Sequence, residues 1–361
     1  MSTSALPAAA AAAATDPPLA AMPATAYIET PRSRVRLHHR RLLVQSPSPE
    51  EEAAAAPLPE AEIHLHDLER LVLNETVQIT TQAAAELLRS GIAIHFSDCH
   101  GRSLGGYDPV HWRGGASRLR QYSRQGDASF ARHLALRLIL AKTANQRLIL
   151  LRLLHNRPRP VHAAIATLDA ALRHLPRSTS LDQLRGAEGA AAAAYFPAWA
   201  QFLPDSFPFE QRSTRPPLNA VNACLSFAST LVANEFTSIL LRYGLDPALG
   251  HLHTTDDRRP ALALDLMEPF RPAFTEALTI RLFSHRLLNT DDFEARDGGV
   301  FLNTTGRQKF LHHYESRLQR EFLSDHAGHR TSLRQQFTAA VTAYKAALDT
   351  PDSYRPFELN P

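Results

Sequence analysis

Between Ala26 and about Tyr107, apolar residues alternate with polar ones in short runs. Tyr27–Thr30, Arg34–Leu37 and Arg41–Val44 predict strands, and the acidic, Ala/Pro-rich stretch Ser46–Ala61 predicts a loop. Glu62–Leu65, Leu68–Leu73 and Val77–Ile79 continue the strand pattern. Thr81–Ser90 switches to helical period with a Thr cap, and Ile92–Phe96 is a further strand before a turn over Cys99–Gly105. Beyond this the period is helical. A long apolar run from Asp127 to about His155 stops before Arg157-Pro158. Further helices are expected at Pro160–Leu175, Ser180–Leu203, Leu218–Tyr243, Asp265–Leu288, Thr305–Ser324 and Ser332–Asp349.

The expected fold class is therefore α+β and multidomain. A small β-sandwich-like domain at 27–112 precedes a larger all-α domain at 113–349, with a tail at 350–361. Residues 1–26 are almost wholly Ala, Pro, Thr and Ser, a composition that cannot pack a core, so a disordered leader is expected there. The full length, 361 residues, is enough for two domains that each bury a core.

Composition narrows the class without naming a function. Apolar residues make up 44% and charged residues 21%, as in soluble globular proteins. No uninterrupted apolar run reaches the roughly 18 residues of a membrane span, so no membrane partner is expected. Cys99 and Cys224 are too few and too far apart for a disulfide framework or a Cys-based zinc site, which fits a reducing cytoplasm. A net charge of +3 is compatible with an anionic partner but does not identify one. Arg132, Arg137, Lys142, Arg147, Arg152 and Arg157 recur every five residues. Each step turns about 140° around a helix, so these cations spread around it and some must be buried, paired or at an interface.

Candidate chemistry is concentrated in one segment. His253 ends Gly244-Leu-Asp-Pro-x-x-Gly-x-Leu-His, and after a basic loop holding Arg258 and Arg259 come Asp265 and Glu268, with Arg271 following. Three residues apart, the carboxylates share one helical face. An imidazole, two carboxylates and nearby positive charge suit a hard divalent metal acting on a phosphodiester. Asp265 lies in Ala-Leu-Ala-Leu-Asp-Leu-Met, where a charge needs a partner or a metal unless it caps the helix. Arg271 is placed either to meet a phosphate or to form an ordinary salt bridge. Glu188, in an Ala/Gly-rich helix, reads from composition alone as a solvated surface charge. The small residues around it also allow close approach of a helix or a nucleic-acid backbone. His251 is two residues from His253, and only His253 is taken as a site residue.

Several segments together resemble the universal CRISPR-associated integrase of the adaptation module, a metal-dependent DNA endonuclease that inserts new spacers. They run in order from Leu68-Glu-Arg-Leu-Val-Leu, Val77-Gln-Ile-Thr-Thr-Gln and Ser90–Gly105 to Ala141-Lys142-Thr-Ala-Asn145-Gln146-Arg147, then Gly186-Ala-Glu188-Gly. Pro216-Pro-Leu-Asn219, Gly244-Leu-Asp-Pro247, His253, Asp265, Glu268, Gly298-Gly-Val and Gly306-Arg307 complete the series. The resemblance implies that Glu188, His253 and Glu268 hold Mg2+ or Mn2+, with Asp265 as acidic companion, all four being catalytic. It further implies transesterification by the 3′-hydroxyl of a short duplex at a repeat boundary. The β-rich domain would make a homodimer, and a small ferredoxin-like adaptation protein would complete a hetero-oligomer on double-stranded DNA, prespacer and repeat array. Arg258, Arg259 and Arg271 would contact the nucleic acid. A stand-alone nuclease repairing branched DNA, or a catalytically silent DNA-binding scaffold of the same fold, are the alternatives.

Overall fold

The computed structural model describes residues 24–47, 60–98, 101–109, 114–256, 259–325 and 327–360. The N-terminal part holds two four-stranded sheets. One has the order β1 (Ala24–Ile28), β5 (Leu68–Asn74), β7 (Ala93–Ser97), β8 (Ser103–Tyr107), the first three parallel and β8 antiparallel. The other has the order β4 (Glu60–His64), β3 (Arg41–Gln45), β2 (Arg34–His38), β6 (Gln78–Ile79). Helix α1 (Thr81–Arg89) provides the crossover that a parallel β5–β7 pair requires. The Thr80 side chain caps it by accepting from the Ala83 N–H. Val35, Leu42 and Val44 of one sheet share a core with Leu71, Leu73 and Ile94 of the other, and with Leu87 of α1.

Two boundaries differ from expectation. β1 begins at Ala24, inside the stretch expected to be a leader, while residues 1–23 lie outside the described residues. The acidic 48–59 stretch lies outside them too. The turn expected over Cys99–Gly105 gives way at Ser103 to β8, which pairs with β7.

The C-terminal part is built on helices α2 (Gly115–Arg124), α3 (Ala128–Asn156), α4 (His162–His174), α5 (Leu181–Ala200) and α6 (Ala220–Arg242). They are followed by α7 (Ala261–Met267), α8 (Ala277–Ser284), α9 (Thr304–Gln319) and α10 (Leu333–Ala347). Two hairpins are set among them, β9 (Phe293–Arg296) with β10 (Gly299–Leu302), and β11 (Glu321–Ser324) with β12 (His329–Ser332). The second hairpin takes the residues expected as the last turn of α9, so the domain is predominantly helical and not free of strands. Short, polar α2 carries too little apolar pattern to be read from sequence.

The single helix expected over Asp265–Leu288 is three pieces: α7, a π-helical turn at Arg271–Glu276, and α8. Proline explains the break. Pro272 has no N–H, and its ring would strike the carbonyl of Glu268 in a regular α-helix, so the backbone widens there.

α6 is long and apolar enough to cross a membrane by length and composition, but it runs through the core. Its Val221, Leu225, Val232, Phe236 and Leu240 are buried among the other helices. The segment expected as a tail is packed there as well. Tyr354 and Phe357 are buried, and Phe357 stacks on Phe270 with ring centroids 4.5 Å apart. The two domains meet across buried charges: Glu235 of α6 pairs with Arg70 of β5 and Arg334 of α10. Arg334 also binds Glu315 at 2.8 Å and donates to Thr25 at 2.8 Å.

Candidate active site

Asp265 is the centre of the local construction. It sits in the last turn of α7, fully buried, and its carboxylate accepts from a whole loop. Oδ2 takes the backbone N–H groups of His251 (2.6 Å) and Leu252 (2.9 Å), and Oδ1 takes that of His253 (2.9 Å). The same Oδ1 lies 2.6 Å from His253 Nδ1. All four bonds serve to fold the histidine loop, which is why a carboxylate can persist in an apolar run. It does not cap the helix; Pro260 holds that position.

The loop is clamped from other directions. Arg185 of α5 donates twice to the Leu252 carbonyl, at 2.6 and 3.1 Å. His251 points inward, with Nε2 2.9 Å from the Tyr344 hydroxyl of α10, and burial lowers its pKa to about 4. His251 is therefore structural and His253 the accessible member of the pair. Gly250 is required by packing. A Cβ there would stand 2.7 Å from the Ala261 Cβ, so only glycine lets the loop lie against α7.

Glu268 caps the C-terminal end of α7 and is buried. Its Oε1 accepts from Arg271 Nε at 2.8 Å, while Oε2 lies 2.6 Å from the ammonium of Lys142, which projects from α3. That same ammonium pairs with Glu188 of α5. Thus α3, α5 and α7 each contribute a charge to one point. Asn145, one turn beyond Lys142, fixes the backbone just past Glu268 by donating to the Pro269 carbonyl at 2.8 Å. Arg271 also donates to Ser229 of α6 at 3.1 Å. Arg271 thus forms a salt bridge with Glu268.

Electrostatics follow from this crowding. Burial by itself would raise the Glu268 carboxyl, but Arg271, Lys142 and His253 outweigh it and hold it at about 2. Burial opposes the charge on Lys142, and Glu268 and Glu188 overcome it and raise its pKa. Glu276, at the end of the π-helical turn, is buried and raised to about 7 by desolvation, only partly offset by Tyr195, Lys142 and Arg271. Arg212 is lowered to about 10 by burial and then by Arg271.

Glu188, His253, Asp265 and Glu268 are thus brought into one neighbourhood. Arg259 is exposed on the loop before α7, and Arg258 lies outside the described residues. Among the described residues nothing lies within 4 Å of a Cβ built on Gly186 or Gly189, so no helix packs on those glycines. Sequence reasoning missed Lys142, Ser229 and Glu276 as site residues. The evenly spaced cations of α3 are largely paired or bonded: Arg147 with Asp169, Arg132 with the Ser178 carbonyl, Arg157 with Ser284.

Among the described residues no three His, Cys, Asp or Glu side chains surround one point at coordination distance. The donor chemistry nonetheless fits a hard divalent cation. Glu268 Oε2 is buried and ion-paired but receives no properly directed hydrogen bond. With Nδ1 of His253 committed to Asp265, Nε2 is the nitrogen left to coordinate.

The family model described as CRISPR associated protein Cas1 matches residues 26–316. The chain is 33% identical to "CRISPR-associated endonuclease Cas1 3" of Thermus thermophilus over 293 residues, 81% of this chain and 86% of that one. Its fold is similar to that of a Cas1 protein from Thermotoga maritima, with TM-score 0.75 at 21% identity, covering 94% of this chain and all of that one. A casposase bound to integration product superposes with TM-score 0.79 at 18% identity, over 92% of each chain. With a family model matched across both domains, and a relative aligned over most of both chains, this chain belongs to the Cas1 family of CRISPR-associated proteins.

Proposed function

We propose that this chain is a divalent-metal-dependent DNA endonuclease and integrase that inserts short duplexes into a CRISPR array by transesterification. One observation carries the reading: Glu188 and Glu268, from distant parts of the chain, share a single cation beside a histidine whose Nδ1 is held by a buried carboxylate. Glu188, His253 and Glu268 would hold Mg2+ or Mn2+, with the imidazole making Mn2+ an apt substitute. When bound, the metal supplies polarisation of the phosphoryl oxygen and a lowered pKa for the attacking hydroxyl.

The protein's own contribution is preorganisation. Asp265 has all its acceptor positions occupied, so it orients His253 and is not itself a ligand. Arg271 steers one oxygen of Glu268 and leaves the other facing the cation position. The exposed Gly186 and Gly189 give α5 a small-residue surface that a DNA backbone can approach closely. Arg259, exposed before α7, is placed to meet phosphates, which makes binding salt-dependent.

The same reading includes a homodimer through the β-rich domain. Support comes from the edge strand β8, whose Leu104 and Tyr107 are exposed, an arrangement that solitary proteins avoid. A small ferredoxin-like adaptation protein completes the assembly, working on prespacer and repeat array in the cytoplasm. The names of the Thermus relative and of the casposase agree with nuclease and strand-transfer chemistry.

The test is to incubate the protein, with and without its small partner, with a repeat-bearing supercoiled plasmid and a short duplex in Mg2+ or Mn2+. Half-site integration products are expected, and Glu188→Gln and His253→Ala should abolish them while duplex binding largely persists, since phosphate contacts supply most affinity. Normal integration by either variant would overturn the site. Cutting of branched DNA with no integration would favour the repair nuclease.

A further inference from the structure

The ammonium of Lys142 stands where the proposed site needs a cation. It lies 2.6 Å from Glu268 Oε2 and pairs with Glu188 Oε1. Glu268 is buried, and two carboxylates cannot both stay ionised in such a place without a positive charge between them. Arg271 does not serve, because its guanidinium is spread over the other Glu268 oxygen and Ser229.

The choice of residue is informative. The chain has 39 Lys and Arg together, and only Lys142, Lys309 and Lys345 are lysine. A planar arginine fork would lock two carboxylates in place. A lysine presents a compact charge on a flexible four-carbon stem, which can withdraw while its helix stays fixed. α3 is packed on both α5 and the turn after Glu268, so movement is left to the side chain.

We propose that Lys142 is an internal placeholder cation: its ammonium bridges Glu188 and Glu268 until a divalent metal enters, and then turns out of the gap. This rests on the metal-site reading given above. The carboxylates stay neutralised in both conditions, and metal affinity is set by competition with a tethered charge. A site competent only while the lysine is withdrawn shows an affinity reduced by that fraction.

The experiment titrates full-length metal-free protein with Mn2+, following free Mn2+ by electron paramagnetic resonance. Wild type, Lys142→Gln, Lys142→Arg and Glu188→Gln are compared. Lys142→Gln should bind roughly tenfold or more tightly than wild type, corresponding to a lysine in place at least about nine-tenths of the time. It should also melt at lower temperature in chelator. Lys142→Arg should bind no more tightly than wild type. In wild type, Mn2+ should speed acylation of Lys142 relative to Lys309 and Lys345, a readout that requires no variant to fold. Equal or weaker binding by Lys142→Gln, with Lys142 acylation unmoved by Mn2+, overturns the placeholder role and leaves the metal site standing. Absence of any binding that Glu188→Gln removes would overturn both.

Discussion

Replacing Asp265 with Asn separates an orienting carboxylate from a metal ligand. The side chains are nearly isosteric, but Asn has one acceptor atom where Asp has two. In the native protein each carboxylate oxygen accepts two bonds, from His251 and Leu252 N–H on one side and from His253 N–H and Nδ1 on the other. With its NH2 toward His251 and Leu252 the amide loses both of those bonds. Turned the other way it loses the His253 N–H bond and keeps the imidazole only by forcing Nδ1 to become the acceptor, which moves the ring proton to Nε2. At about 1.5–3 kcal/mol for each bond to a charged group, losing one or two of them costs about 1.5–6 kcal/mol. Measured against the ~5–15 kcal/mol stability of ordinary domains, this is large, and in a domain of this size it lowers Tm by roughly 10 °C. Thermal and urea unfolding in chelator would measure it without any metal. Manganese affinity should fall about 10–100-fold, as expected when the partner orienting a histidine ligand is removed. If Asp265→Asn were as stable as wild type without metal yet lost all Mn2+ binding, Asp265 would be a direct ligand and this reasoning would be refuted.

Three further outcomes are expected. Glu276 is raised to about 7 from an ordinary 4.5, so its folded form favours the proton. Its contribution is fully present below about pH 4.5 and is lost as pH rises through 7. The penalty at pH 8 is on the order of 3 kcal/mol. Glu276→Gln should therefore flatten the stability–pH curve between pH 5 and 8, and parallel curves for the two proteins would contradict the assignment. Arg334→Met strips a buried cation from Glu235 and Glu315 at the domain junction. It should cost about 3–5 kcal/mol in urea unfolding, partly restored by Glu315→Gln, with no restoration arguing against the network. Gly250→Ala places a Cβ 2.7 Å from that of Ala261 and should cost about 1–3 kcal/mol. The double variant with Ala261→Gly should recover part of this in thermal unfolding, and failure to do so would locate the strain elsewhere.

How much of this was legible in sequence depended on distance along the chain. His253, Asp265 and Glu268 were readable because they lie in one segment, and because a carboxylate amid Ala-Leu-Ala-Leu-Asp-Leu-Met announces that it is buried with a partner. The two-domain plan was readable from the change of period near Tyr107. The unbroken helix from Asp265 was misread, since apolar spacing runs through Pro269 and Pro272 while the backbone cannot. Glu188 carried no local signal and enters only through the family resemblance, its ionic partner being brought in by the packing of α3 on α5. Lys142 was hidden among evenly spaced basic residues. Nothing in α3 itself says which of its cations faces two carboxylates, because those carboxylates belong to other helices.

The same distinction governs how the site can move. The histidine loop is held by Asp265 from α7, by Arg185 from α5 and by Tyr344 from α10, so three helices fix His253 through its neighbours. Glu268 is buried and held by Arg271, and the backbone after it is pinned by Asn145. Glu188 has no comparable support. Its side chain is partly exposed on α5, and Lys142 is its ionic partner. On the metal-site reading proposed above, a cation would meet a half held from several helices, His253, Asp265 and Glu268, and a less supported pair, Glu188 and Lys142. On that reading the firmly held ligands would set the geometry that a phosphodiester must meet, while the other pair would let the metal in without unpacking the core. If the site takes a metal as proposed, the charge that stabilises it beforehand is carried by the flexible Lys142 side chain, and the groups that must not move are held from several helices at once.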